Sequence, residues 1–308
     1  MRIARMLALG ASMLMLISAC STGGGKLKLG VATDCSTNPV CGQALKTAYG
    51  IDVTNATKLA ACDTPMAQAL LGKTIDVGEL CSTQPDIAVN GWVVLDDDKH
   101  TQPADNVAPL VRDDYLSKLS DKAGFEKILN DVSAAMDTPT LTGLGKQVTV
   151  DKQDIATVAK SWLQSKNLLA SANASAGASA PTLKVGSDGF YEAKLLAEIY
   201  AQALEASGYK IDRTGIGIGA RKVSAPALES GQIELKPEYI GSGLAFYEAG
   251  KQTGDPAANA TELKNVLKAK GITVLTYSPA ADQNAFVVRK ETADQYKLTK
   301  MSDLAPHL

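Results

Sequence analysis

Two distant stretches of this chain share one grammar, and a chain that writes the same unit twice is constrained towards a fold with two similar halves. Residues 227–243 read ALESGQIELKPEYIGSG and residues 69–77 read ALLGKTIDV; each runs Ala-Leu, a break containing glycine, then Ile, an acid and an aliphatic residue. The pattern predicts a short amphipathic helix stopped at Gly231 or Gly72, where a left-handed cap costs little, followed by a strand. A polar loop follows each strand, residues 236–243 in one copy and 81–86 in the other. Open α/β sheets bind ligands in the crevice outside their strand ends. The expectation is therefore an α/β protein with two lobes facing one cleft.

The rest of the chain can accommodate this. Its 308 residues, 45% of them hydrophobic, supply material for about two domains. A net charge of −2 with no basic run points away from nucleic acid. Two histidines, His100 and His307, leave little room for histidine catalysis or a multi-histidine metal site, and neither a metal nor a cofactor is expected. Residues 1–19 have a basic start, an apolar stretch and small residues before Cys20, the layout of an export leader, and Ile17-Ser-Ala-Cys20 resembles a bacterial lipobox. The apolar run is shorter than the about 20 residues of a membrane span. Cleavage before Cys20, lipidation of its thiol and a tether over residues 20–25 would hold the mature protein outside the cytoplasmic membrane, anchored by lipid.

Cys35, Cys41, Cys62 and Cys81 remain, an even number for an oxidising compartment, and three pairings are open to them. Cys35 and Cys41 flank the turn residues Asn38-Pro39, while Cys62 and Cys81 both fall at ends of apolar strands, which favours Cys35–Cys41 with Cys62–Cys81. Their spacings are too wide for a CxxC-type zinc site. The triplet Asp96-Asp97-Asp98 lacks the alternate-residue spacing of a calcium loop and reads as a solvated turn.

Along the chain, strands are expected over residues 26–31, 57–61, 75–80 and 92–95, and core-facing helical stripes run through Phe125 to Met136 and Ile155 to Leu163. Residues 169–181 include LASANASAGASA, small residues with no periodicity that read as a flexible linker dividing the chain in two. Beyond it, a strand over 182–185 leads through Gly186-Ser-Asp-Gly-Phe-Tyr-Glu192 into a helix ended by Gly208, with Ser187 or Asp188 as its N-cap. A strand follows over 209–216, and the glycines at 215, 217 and 219 lack the spacing of a dinucleotide fingerprint. Further strands are expected over 272–277 and 285–288, with helices over 261–269 and 293–298.

At this point the residues carry a resemblance. Val185-Gly-Ser-Asp-Gly-Phe-Tyr-Glu192, Pro226-Ala-Leu-Glu-Ser-Gly231, Pro237-Glu-Tyr-Ile-Gly-Ser-Gly243 and the run from Asp282 to Ala293 resemble the osmoprotectant (glycine betaine, choline, carnitine) substrate-binding proteins of ABC importers, as do Ser82-Thr-Gln-Pro85 and Asn90-Gly-Trp-Val-Val-Leu-Asp-Asp97. The resemblance implies a two-lobe periplasmic-binding-protein-like fold of type II, a small quaternary-ammonium ligand closed between the lobes, delivery to an ABC permease in the membrane, and a monomer. In that family the segment like residues 182–308 comes first and the segment like 26–168 second, so the halves here stand in permuted order. Lobe 1 is then expected from 82–168 and 182–281, and lobe 2 from 26–81 and 282–308, with crossings near 81–86 and 278–284. Leu308 and Lys26 should lie close together.

The resemblance also implies where the ligand sits. A quaternary ammonium donates no hydrogen bonds and is held by aromatic faces, for which Tyr239 is the first candidate and Phe190, Tyr191 and Tyr277 are others. Ser187, Ser242, Asp282, Gln283, Asn284, Asp63, Thr64, Ser82 and Thr83 are the candidate polar contacts. Lys236 stands where many relatives have an aromatic residue. Two other readings compete: a surface lipoprotein that senses another small solute, such as an amino acid or an ergothioneine-like compound, and an exported hydrolase built on Ser187 or Ser242. No G-x-S-x-G elbow supports the hydrolase, so no catalytic residue is expected.

Overall fold

Two five-stranded mixed sheets carry the molecule, and their strand orders correspond. The computed structural model describes residues 26–169 and 177–308. The leader, Cys20, the tether and residues 170–176 of the linker lie outside the described residues. The first sheet holds β1 (Leu29–Ala32), β2 (Thr57–Leu59), β3 (Val77–Cys81), β4 (Val93–Val94) and β10 (Asn284–Val288) in the order β2-β1-β3-β10-β4. The second holds β5 (Val107–Arg112), β6 (Leu183–Asp188), β7 (Ile211–Gly219), β8 (Leu235–Tyr239) and β9 (Ile272–Val274) in the order β7-β6-β8-β5-β9. Each sheet has a parallel trio, then an antiparallel strand and a short edge strand. The paired stretches occupy equivalent places: α1 (Thr64–Leu71) leads into β3, and α8 (Arg221–Ser230) leads into β8. Gly231 takes the left-handed conformation at φ 80°, whereas Gly72 does not.

Sheet membership moves one expected lobe boundary. β4 pairs antiparallel with β10 through Val287–Val94 and Val288–Val93, so residues 86–94, with α2 (Asp86–Val89), stay with the first sheet instead of joining lobe 1. The chain crosses between β4 and β5, not near 81–86, and returns between β9 and β10. The two crossings meet at the bridge Asn106–Ala281, beside which the Asp282 N–H donates to the Asp105 carbonyl at 3.1 Å. A second difference concerns residues 236–243, expected as a polar loop: β8 continues through Tyr239, and α9 (Ile240–Tyr247) begins at once. Proline tolerates a central strand here because Pro237 faces Pro109 of β5, and neither can donate to the other.

Both sheets are covered on two faces. On one side of the second sheet, α4 (Lys122–Ala134), α5 (Thr138–Thr149), α6 (Ile155–Ser165) and α7 (Tyr191–Ala206) bury Phe125, Leu129, Trp162 and Ile199 against Val185 and Leu235, with α3 (Asp113–Leu116) at the rim. On the other, α8, α9 and α10 (Pro256–Lys268) bury Leu228, Leu244 and Leu263 against Leu110. The first sheet packs Leu45, Tyr49 and Met301 on one face, next to α11 (Lys290–Tyr296), and Met66, Leu70 and Trp92 on the other. Residues 39–49 form two short helical turns, Pro39–Gln43 and Leu45–Tyr49. The disulfides are Cys35–Cys41 and Cys62–Cys81, as expected. The Leu27 N–H donates to the His307 carbonyl at 2.7 Å, which makes the two ends of the described chain neighbours.

Candidate ligand-binding cleft

The crossings leave a cavity of about 340 Å³ between the lobes, walled by the ends of β1, β3, β6 and β8 and by the second crossing. Its volume falls at the small end of the range for small-molecule sites, about 300–1,000 Å³. Phe190, Tyr239, Ser242, Asp282, Gln283, Asn284 and Asp63 line it. The other expected residues stand elsewhere. Ser187 is fully buried and accepts from the Gly217 N–H, while its hydroxyl donates to the Asp188 carbonyl. Tyr191 and Tyr277 are absent from the cleft wall; Tyr191 is buried in the first turn of α7, and Tyr277 packs against the core beside α10. Thr64 opens α1, whose cap is Asp63. Ser82 lines a separate polar cavity behind the crossing. Thr83 is completely buried.

Phe190 and Tyr239 form the aromatic wall, with ring centroids 5.8 Å apart and planes inclined by 31°. Phe190, not Ser187 or Asp188, is the N-cap of α7, because β6 runs on through Asp188. Tyr239 is fixed by its hydroxyl, which donates to Glu192 Oε1 at 2.7 Å; Glu192 Oε2 accepts from Thr83 Oγ1 at 2.6 Å, and Thr83 N–H donates to Asp282 Oδ1 at 3.0 Å. Ser82 Oγ also donates to Asp282, at 3.0 Å. This chain ties the end of β3 to α7 and to the second crossing. Burial raises the proton affinity of both carboxylates, for Glu192 against the opposing bonds from Thr83 and Tyr239, and for Asp282 with Glu192 adding to the effect.

A second network supports the floor. Lys236 has no exposed surface and donates to Asp188 Oδ1 at 2.9 Å, Ser224 Oγ at 2.9 Å and Glu238 Oε2 at 3.0 Å. Arg221, at the start of α8, donates to Glu238 Oε1 through Nε at 3.1 Å and Nη2 at 2.9 Å, and to Ser242 Oγ at 2.7 Å. Burial of Glu238 is outweighed by Arg221 and Lys236, which pull its carboxyl down to about 2. Arg221 Nη1 has no partner among the described residues, yet Arg221 lines the cavity. An arginine on the cavity wall with nitrogen capacity left over is chemically able to hold an anion there. Asp105 Oδ1 accepts from the first amides of α9, Gly241 at 2.8 Å and Ser242 at 2.9 Å, and burial pushes its carboxyl up to about 7.

Arg221, Asp105, Glu79 and Asp34 also line the cleft without having been sequence candidates, as does Asp188, which the sequence offered only as an N-cap of α7. Two clusters offer metal-type donors, Cys35, Cys41 and Glu79 in one and Cys62, Cys81 and Asp282 in the other. In both, the sulfurs are consumed by a disulfide and cannot serve as thiolate ligands.

Comparison with known proteins matches residues 26–165 and 181–308 to a family described as the substrate binding domain of ABC-type glycine betaine transport systems. The chain is similar to a glycine-betaine-binding protein of Pseudomonas aeruginosa, 34% identical over 128 residues, covering 42% of this chain and 40% of that one. It is also similar to the glycine betaine-binding protein YehZ of Escherichia coli, 32% identical over 155 residues, covering 48% and 49%. The matched part thus spans about half or less of these relatives. Among solved structures, an ancestral arginine-binding protein bound to arginine aligns with a TM-score of 0.41 at 12% identity over 91% of each chain. Apo YehZ from Escherichia coli aligns at 0.36 and 14% over 90% of this chain and 84% of that one.

Proposed function

The chain belongs to the family of substrate-binding domains of ABC-type glycine betaine transport systems, and from that premise we propose that it binds a betaine-type osmoprotectant between its lobes and delivers it to a membrane permease. The observation that carries this reading is the pairing, in one interlobe cavity, of two aromatic faces with a guanidinium edge that has no partner among the described residues. The quaternary ammonium rests on Phe190 and Tyr239, each contact contributing about 0.5–2 kcal/mol. The ligand carboxylate meets Arg221 Nη1, whose other edge Glu238 holds in place, so little side-chain entropy remains to be lost on binding. The mature chain acts outside the cytoplasmic membrane as a monomer held by lipid on Cys20; among the described residues no helix is long and apolar enough to cross a membrane. Calorimetric titration with glycine betaine, choline, carnitine, proline betaine, ergothioneine and ordinary amino acids tests the reading. Heat from at least one quaternary ammonium is expected; tight binding of ordinary amino acids alone would remove the assignment.

The halves of this protein stand in exchanged order relative to the family. The contact between Leu27 and His307 supports this, because it places residue 307 where it would run into residue 27 in the family's order. A rearranged gene that starts at residue 182, runs from 308 directly into 26 and ends at 168 is expected to fold and to bind the same ligand within about threefold of the original. Insoluble or ligand-blind product from that gene, alongside an active original, contradicts the permutation.

A further inference from the structure

The part of the cleft wall supplied by the first sheet and its loops carries no ring among the described residues, and it includes Glu79 on β3. Glu79 is 1% exposed and lines the cavity. Its Oε2 accepts from the Ala32 N–H at 2.7 Å and lies 3.2 Å from the disulfide sulfur of Cys41, while Oε1 has no partner among the described residues. A carboxylate oxygen without a protein donor, on a residue that lines the cavity, is open to a donor carried by a ligand. Burial pushes the Glu79 carboxyl up to about 7; Asp34, beyond β1, adds to the rise, while the Ala32 N–H and Lys58 of β2 oppose it. Cys62 and Cys81, joined by a disulfide, line the same wall, and the Cys35–Cys41 disulfide lies against Glu79 Oε2.

Resting on the function proposed above, we propose that Glu79 forms a second subsite, which takes a hydrogen-bond donor on the ligand's far end, a protonated amine in preference to a hydroxyl. Glycine betaine has no such donor and leaves this subsite unused. The natural ligand is then a betaine or alkyltrimethylammonium compound with a donor-bearing chain. An ionised Glu79 accepts a charge-assisted bond there, and such bonds are stronger than neutral ones.

The test is titration of alkyltrimethylammonium ions that differ only in their terminal group, methyl, hydroxyl or ammonium, at several chain lengths. At the best length the ammonium member is expected to bind at least about tenfold more tightly than the methyl member, with hydroxyl between them. Glu79→Gln, which keeps an acceptor for the Ala32 N–H, should shrink that ratio below about threefold, and Glu79→Leu should erase it; thermal unfolding verifies that each variant is folded. The wild-type ratio should also grow as pH rises through about 7, since the ionised form is the acceptor. A ratio near one, a ratio untouched by Glu79→Gln, or a ratio that falls with rising pH overturns the subsite while leaving the betaine reading in place. Absence of binding by every quaternary ammonium, betaine included, overturns both.

Discussion

Replacement of Lys236 by methionine is expected to cost about 3–5 kcal/mol of folding stability, the largest single-residue loss we anticipate. The ammonium of Lys236 lies between Asp188 and Glu238, and all three side chains are nearly or wholly withdrawn from solvent. Methionine fills a similar volume, so the loss comes from leaving two carboxylates buried with one cation, Arg221, instead of two. Ser224, which donates to Asp188 from α8, also loses the bond it accepts from Lys236. Denaturant unfolding of the two proteins under identical conditions measures the difference. Adding Asp188→Asn and Glu238→Gln to the methionine variant should recover part of the loss, because the buried charges then leave together. A loss below about 1 kcal/mol would mean that the network is far better hydrated than its burial indicates.

The second large effect concerns binding. Tyr239→Ala is expected to weaken glycine betaine by about 1–3 kcal/mol, or about 5- to 150-fold, since it removes one of the two ring faces and opens the remaining one to water. Its stability should also fall, because Glu192 loses the phenolic donor. Tyr239→Phe separates the two effects: it keeps the face and removes the donor, so it should lose markedly less affinity than the alanine variant while sharing the destabilisation. Calorimetric titration and thermal unfolding of both variants measure this. An alanine variant that binds betaine as tightly as the parent would place the ammonium elsewhere.

What the sequence revealed of the fold was what local chemistry encodes. The helix, glycine and strand units at α1–β3 and α8–β8 were legible because each is a contiguous pattern, and they do occupy matching places in the two sheets. β5 was not legible: Val107–Arg112 contains Pro109, and its partners β8 and β9 lie more than a hundred residues away. The lobe boundary failed for a related reason, since β4 is two residues long and only its pairing with β10 assigns it to a sheet. α5 holds Pro139, Gly143, Gly145 and several threonines, a poor intrinsic helix, and packing of Leu141 and Leu144 decides its form.

In the cleft, the rings at 190 and 239 stood out against polar neighbours, whereas Arg221 and Glu79 lie outside the stretches that carry the resemblance. A usable signal did exist. Glu79 within Val-Gly-Glu-Leu-Cys and Lys236 and Glu238 within Leu-Lys-Pro-Glu-Tyr are charges inside strands that become fully buried. Charged residues are almost never fully buried without partners, so a charge in an apolar strand marks a network worth seeking. The expected role of Lys236, a gap in an aromatic cage, gives way to an internal counter-charge under the floor of the site.

The most direct measurement is an experimental structure of the protein with glycine betaine bound. The account predicts ligand density in the interlobe cleft, with the trimethylammonium against Phe190 and Tyr239, the carboxylate on Arg221 Nη1, and Lys236 still shared between Asp188 and Glu238. Density outside that cleft, or a ligand whose carboxylate points away from Arg221 while its ammonium leaves the two rings, would contradict it.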